Sequence, residues 1–295
     1  MNTSAAQATI AVIGGSGLYQ MPGLTEVVEQ MIETPFGAPS DTLTIGTLHD
    51  QRIAFLPRHG RGHHLTPSEV PYRANIYALK SLGVSHVISV SACGSLREDY
   101  APGDIVIPDQ LYDHSKAERG GRSFFDQGIV AHVGMADPFC PELSGVLAEA
   151  TQRADGTVHQ GGTFITIEGP RFSTKSESRA YRQLGFDLIG MTAAPEAFLA
   201  REAELCYATL AHVTDYDVWH TGETVSADLV MKRFHHNLEI AQQTIIEAIT
   251  AIVALPRACS CSTALANAFT TAPDRITTAV RTRLPSIIGR YYPLS

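Results

Sequence analysis

The chain has 295 residues, 44% hydrophobic and 18% charged, and 22 Lys and Arg against 30 Asp and Glu give a formal net charge of −8. That apolar content excludes a disordered chain and supplies a sizeable core. The acidic balance excludes a dedicated nucleic-acid binder, whose footprint is a basic face, but leaves small anionic ligands open because they respond to local charge.

The opening MNTSAAQATIAVIGG has no basic segment followed by a long apolar one. No run approaches the ~18 apolar residues of a membrane helix, so a soluble cytoplasmic chain without membrane contact is expected. Five cysteines, odd and sparse, do not make a secreted disulfide framework.

Short β-branched runs alternate with helical stretches, the mark of α/β architecture. A strand over Thr9–Ile13 leads into Gly14-Gly15-Ser16-Gly17, a loop whose backbone N–H groups suit an anion or form a ligand-free turn. It is not a dinucleotide fingerprint, since Gln20 stands where the third glycine belongs, nor does a phosphate-loop lysine follow. A strand over Arg52–Leu56 delivers Arg58 and His59, followed by Gly60-Arg61-Gly62-His63. The Arg58 fork matches phosphate oxygens and His59 is expected to donate a further hydrogen bond, at a strand's carboxyl end where α/β sheets bind ligands. The alternative is a polar surface loop. A metal is not expected on His59 and His63, because Gly60 and Gly62 spoil the helix such a pair requires.

Pro71–Leu82 reads as a helix stopped by Gly83. The strand His86–Ser91 ends in Ser91-Ala92-Cys93-Gly94, small residues that permit close approach of a ligand. Further strands are expected over Asp104–Pro108 and Thr163–Ile167, the latter leading to Glu168-Gly169-Pro170-Arg171-Phe172. Phe172 is placed either to stack on a planar ligand or to pack in the core. Thr174 and Glu177 form a capping box that opens a helix ending at Gly185. After a strand over Asp187–Met191 and Thr192, Pro195 fits a first helical position and Glu196 suits the helix dipole.

The strand Cys206–Val213 runs into Thr214-Asp215-Tyr216-Asp217. Period-two alternation puts both carboxylates on one face, where repulsion raises one pKa; an Asx turn is the alternative. One long amphipathic helix is expected from Ser226 to about Leu255, where Pro256 stops it. Cys259-Ser260-Cys261 reads as a redox-active pair, half a metal site, or two unrelated cysteines. From Pro256 onward five arginines face only Asp274, and a short helix with a solvated or subunit-facing tail is expected. No linker or repeat divides the chain, so residues 1–295 are read as one domain.

The runs IGGSGLY, PRHGRGH, ACGSLRE, MADPFCP, TIEGPRFST, GMT with PE, and TDYD stand in one order over roughly residues 8–265. In that order they resemble the purine nucleoside phosphorylases, and within them a branch that acts on 5′-methylthioadenosine. Residues from about 271 to 295 match nothing in it.

The resemblance implies a three-layer α/β/α sandwich around a mixed, twisted sheet. It implies a homotrimer with neither metal nor organic cofactor, in which phosphate cleaves the nucleoside to adenine and 5-methylthioribose 1-phosphate. It places phosphate on Ser16, Arg58, His59, Ser91, Ala92 and Thr192, with Ser16 and Ser91 where relatives often carry Thr. Met191 would touch the ribose and Phe172 the base, with Asp215 and Asp217 reading and protonating the purine. His63, His132 from an adjoining subunit, Ala227 and Val230 would line the methylthio pocket. Aspartates favour a 6-amino group where asparagine suits a 6-oxopurine. A 6-oxopurine or methylthioinosine phosphorylase, a nucleosidase and a non-catalytic nucleoside-binding protein are the competing readings. In archaeal thermostable relatives, cysteines like Cys140 and Cys206 or Cys259 and Cys261 form disulfides. The low charged content here lacks the thermophile signature, and free thiols are expected.

Overall fold

The computed structural model describes residues 7–15, 17–18, 20–116, 119, 121–222, 225–236, 238–255 and 258–294. In chain order its strands are β1 (Ile10–Gly14), β2 (Thr25–Gln30), β3 (Leu43–Leu48), β4 (Gln51–Pro57), β5 (His86–Ser95), β6 (Ile105–Ile107), β7 (Gln110–Asp113), β8 (Val158–Gln160), β9 (Thr163–Thr166), β10 (Leu188–Gly190) and β11 (Cys206–Asp215). The helices are α1 (Tyr72–Ser81), α2 (Pro141–Arg153), α3 (Lys175–Gln183), α4 (Ala193–Glu202), α5 (Ala227–His236), α6 (Leu238–Ala254), α7 (Thr278–Arg283) and α8 (Pro285–Ile288).

All eleven strands join one mixed sheet, with a main order β2-β3-β4-β1-β5-β10-β9-β7 and a branch through β11, β6 and β8. Period-two alternation gives each central strand two apolar faces. Ala11, Ile13, Ala54, Leu56 and Val87 pack with α1 and α4 residues on one side. Ile10, Val12, Ile53, Phe55 and Ile88 pack with α2 and α6 residues on the other. The expected three layers follow from those two cores.

β5 positions the site. Its first residues, His86 to Ser89, pair with β1 on one edge, while β11 follows the other edge from His86 to Gly94. β10 joins the β1 edge only at Gly94 and Ser95. Val90 to Cys93 are therefore unpaired on that edge, and the sheet opens there, beyond the carboxyl end of β1.

The helix expected from Ser226 to Leu255 is described over α5 and α6, with residue 237 between them outside the described residues. α5 packs on β11 and α6 chiefly on α2. One expectation is corrected: the chain after Pro256 is not a solvated tail. Leu265, Ile276, Val280, Leu284, Ile287 and Ile288 are buried in the α1-side core, and Arg283 pairs with Asp126 at 2.7 Å. β2, for which the sequence raises no expectation, shows no alternation because five of its six residues are exposed.

His212 in β11 lies in the interior against Phe234. Neither ring nitrogen has a hydrogen-bond partner among the described residues. Burial pushes its pKa down to about 4, against about 6.5 in the unfolded chain. The unfolded state therefore binds the extra proton first. Stability held by the neutral ring is complete above pH ~6.5 and is lost as pH falls toward 4. His212→Leu is expected to lose less of its urea midpoint than the parent between about pH 7 and about pH 5; equal losses would show that His212 does not set this limb.

Candidate active site

Five strand ends converge at the opening. β4 carries the chain to Arg58, whose side chain turns inward and is 3% exposed. Its Nε donates to Glu196 Oε2 at 2.8 Å, and Nη2 donates to Glu196 Oε1 at 2.8 Å and Ser89 Oγ at 2.6 Å. Nη1 donates to the Val90 carbonyl at 2.9 Å, its one bond among the described residues. Glu196 is fully buried and also accepts from Ser89 Oγ and Tyr207 Oη. Burial alone would weaken the Arg58 charge. The facing Glu196 carboxylate outweighs it and holds the guanidinium above its ordinary pKa. The expected dipole role for Glu196 is thus replaced by a buried ion pair, while Pro195 does begin the regular turns of α4, since Ala194 is non-helical.

His59 follows with its ring stacked 4.3 Å from that of His63. Burial first, and then the Arg58 charge, push its pKa down to about 4, so the ring is neutral near pH 7. Nδ1 lies 2.9 Å from the Leu65 carbonyl, which accepts only from an N–H. That contact assigns the proton to Nδ1 and leaves Nε2 an acceptor, not the donor expected from the sequence. His63, also lowered by burial, lines with His59, Gly14, Gly15, Gly60, Gly62 and Met231 a cavity of about 250 Å³. The glycine-rich turn and the Arg-His segment therefore do meet, although Ser16 lies outside the described residues.

Ser91 and Thr192 are both buried, and their hydroxyls lie 3.4 Å apart. Thr192 directly precedes the irregular first residues of α4, where the Ala194 N–H is taken by Thr166 Oγ1 at 3.1 Å. Ala92 is half-buried in the unpaired stretch of β5. Met191 packs against the apolar cluster that holds Ile165, Ile167 and Ile189. Its carbonyl is held by Arg119, which sequence reading missed. Arg119 is buried and donates to the carbonyls of Met191, Ala194, Ile167 and Glu168, so one cation ties the ends of β9 and β10 together beside the site. Nothing local in the sequence marks it.

At the far end, a bulge after Val213 sets Asp215 opposite Gly94. Asp215 Oδ1 accepts from the Asp217 amide and Oδ2 contacts Thr214 Oγ1, each at 2.8 Å. Burial raises the pKa of both carboxyls; for Asp215, hydrogen bonds oppose the shift and the neighbouring Asp217 charge adds to it. Asp217 Oδ2 is buried without a partner among the described residues. A second, narrow cleft of about 10 Å³ is lined by Asp215, Tyr216, Asp217, His220, Val225 and Leu229.

Other expected residues stand further off. Phe172 is 36% exposed and lines neither cavity. Ala227 is exposed and Val230 half-buried; the residues there that face the cavities are Val225, Leu229 and Met231. His132 is exposed and bound through its backbone to the Ala268 carbonyl, away from both cavities.

The family model described as the phosphorylase superfamily matches residues 9–254. S-methyl-5'-thioadenosine phosphorylase of Chloroflexus aurantiacus is 56% identical over 97% of this chain and 99% of its own. The Geobacter sulfurreducens protein of that name is 52% identical over 96% of this chain and 98% of its own. Among solved structures, a methylthioadenosine phosphorylase from an antarctic soil metagenomic library superposes with a TM-score of 0.91 at 51% identity, over 96% of this chain and 99% of its own. A Schistosoma mansoni adenosine/methylthioadenosine phosphorylase variant in complex with methylthioadenosine gives 0.80 at 36% identity, over 88% of this chain and 96% of its own.

Proposed function

The chain belongs to the phosphorylase superfamily, and we propose that it cleaves 5′-methylthioadenosine with inorganic phosphate to adenine and 5-methylthioribose 1-phosphate. The observation that carries this is the placing of an anchored cation, Arg58, and a pair of buried carboxyls, Asp215 and Asp217, at strand ends around one opening in the sheet. The similar proteins named above support the choice of nucleoside.

Arg58 offers its remaining Nη1 hydrogen to a phosphate oxygen, and the hydroxyls of Ser91 and Thr192 donate beside it. Ser16 and the Ala92 backbone complete this set in the reading. The neutral His59 takes a phosphate P–OH proton into a hydrogen bond at Nε2. The fixed phosphate sits beneath the ribose, stabilises the cationic sugar as the glycosidic bond breaks, and then attacks the anomeric carbon. Met191 covers the ribose, and Phe172 closes over the base. Asp215 delivers the proton to purine N7, and the unpartnered Asp217 oxygen accepts from the 6-amino group. His63, Ala227 and Val230 surround the methylthio end, with His132 supplied by an adjoining subunit of a homotrimer. Phosphate is a co-substrate, and the chemistry calls on no organic cofactor or catalytic metal. Five unbridged thiols suit a cytoplasmic home.

The test is release of adenine from methylthioadenosine with and without phosphate. Release that depends on phosphate, with 5-methylthioribose 1-phosphate as the second product, is the expected result. Equal release without phosphate would make the protein a nucleosidase. Methylthioinosine in parallel is expected to be the poorer substrate, because its 6-oxo group offers Asp217 no amino donor.

A further inference from the structure

Four of the five cysteines gather at the other end of the sheet. Cys140 precedes α2, Cys206 begins β11, and Cys259 and Cys261 lie at the start of the 3-10 turn Ser260–Thr263. Their Sγ atoms all lie within 4.8 Å of one another, and those of Cys206 and Cys259 are 3.5 Å apart. Cys140, Cys206 and Cys261 are buried, and Cys259 is half-buried. Four sulfurs bound tetrahedrally at about 2.3 Å from one ion stand about 3.8 Å apart, so the cluster needs contraction of only about 1 Å to close.

We propose that Cys140, Cys206, Cys259 and Cys261 hold one zinc ion as a closed structural centre. The donor set is four sulfurs, which suits zinc and excludes the hard cations magnesium and calcium. Binding converts four thiols and Zn²⁺ into a tetrathiolate of net charge −2, with four protons passing to solvent. The surroundings accept that charge. Arg201 Nη1 lies 3.4 Å from Cys261 Sγ. Cys140 occupies the N-cap of α2, at the positive end of a helix of 13 residues.

The position gives the centre a purpose. Cys140, Cys206 and Cys261 belong to the core on the α6 side of the sheet, whereas Leu265 onward belongs to the α1-side core. The chain therefore crosses from one layer to the other beside the cluster, and a zinc ion would pin that crossing to α2 and β11. Cys206 and Asp215 are the two ends of the ten-residue strand β11, roughly 30 Å apart at the usual rise, so the centre stands apart from the chemistry.

The test uses the full chain purified under reductant and analysed for metal. About one zinc per chain that survives dialysis against EDTA is expected. Zinc removed under denaturing conditions and replaced by Co²⁺ on refolding should give the visible bands and sulfur-to-cobalt charge transfer of a tetrahedral tetrathiolate. Cys259→Ser with Cys261→Ser is expected to abolish both signals and to lower Tm by on the order of 5 °C or more, with kcat close to the parent's. A folded parent without zinc, and without the cobalt spectrum after refilling, overturns the proposal. So do Cys140–Cys206 or Cys259–Cys261 bridges found by peptide mapping of freshly lysed, alkylated cells. Should the double variant fail to fold, the parent's zinc content and cobalt spectrum decide alone.

Discussion

Arg58→Ala is expected to lower kcat/KM for phosphate by on the order of 10³-fold and to cost the fold about 3–5 kcal/mol. Two losses combine. The truncated site has no fork to hold phosphate. The deletion also leaves Glu196 charged and fully buried, with the Val90 carbonyl and Ser89 hydroxyl short of their donor. A buried ion pair adds little when intact, yet breaking it strands one charge. Glu196→Gln separates the two effects. It should destabilise by a similar amount, because Arg58 then faces an amide NH₂ at one of its two contacts, but it keeps the cation. Its kcat/KM for phosphate is expected within about tenfold of the parent's. Steady-state kinetics with varied phosphate and urea unfolding without it provide the readouts. Equal kinetic losses in the two variants would mean that Arg58 acts only through the fold.

The same pair shows what was legible in the sequence. Arg58 and His59 announce themselves as a charged segment after a strand. Glu196 does not, because its partner is 138 residues away, and local pattern assigned it to the nearest dipole. Arg119 is silent for a similar reason: four carbonyls from two strand ends create its role, and no spacing encodes them. The central strands were readable because each is apolar on both faces. β2 was not, since an exposed edge strand has no inward face to alternate with. Val225, Leu229 and Met231 line the cavities while the motif-derived Ala227 and Val230 do not, because a motif carries positions along the chain but not the rotation of a helix about its axis. The role of His59 was legible in kind but not in sign, since the Leu65 carbonyl that fixes its tautomer lies in a loop fold the sequence does not display.

Asp215→Asn is expected to lower kcat on methylthioadenosine by about 10²–10³-fold, the usual contribution of a positioned general acid. The carboxyl is 5% exposed, and burial favours its neutral form. Its neighbour leaves room for that form. The Thr214 hydroxyl has one proton and two acceptors in range, Asp215 Oδ2 at 2.8 Å and the Cys93 carbonyl at 3.2 Å. When Thr214 donates to Cys93, its oxygen can accept from a protonated Asp215, and rotation toward Oδ2 supports the carboxylate after the proton reaches N7. Asparagine keeps the shape and the acceptor oxygen but cannot release a proton. A general acid works only while protonated, so the parent's rate should fall as pH rises above the Asp215 pKa, and the variant should lack that limb. The new amide also donates, which suits a 6-oxopurine, so the ratio of kcat/KM for methylthioinosine to that for methylthioadenosine should rise. Thermal unfolding should change little, because the Asp217 amide still finds an acceptor. A variant that retains the basic limb and the parent's substrate ratio would place both the proton donor and base recognition elsewhere, with Asp217, whose buried oxygen has no partner among the described residues, as the next residue to replace.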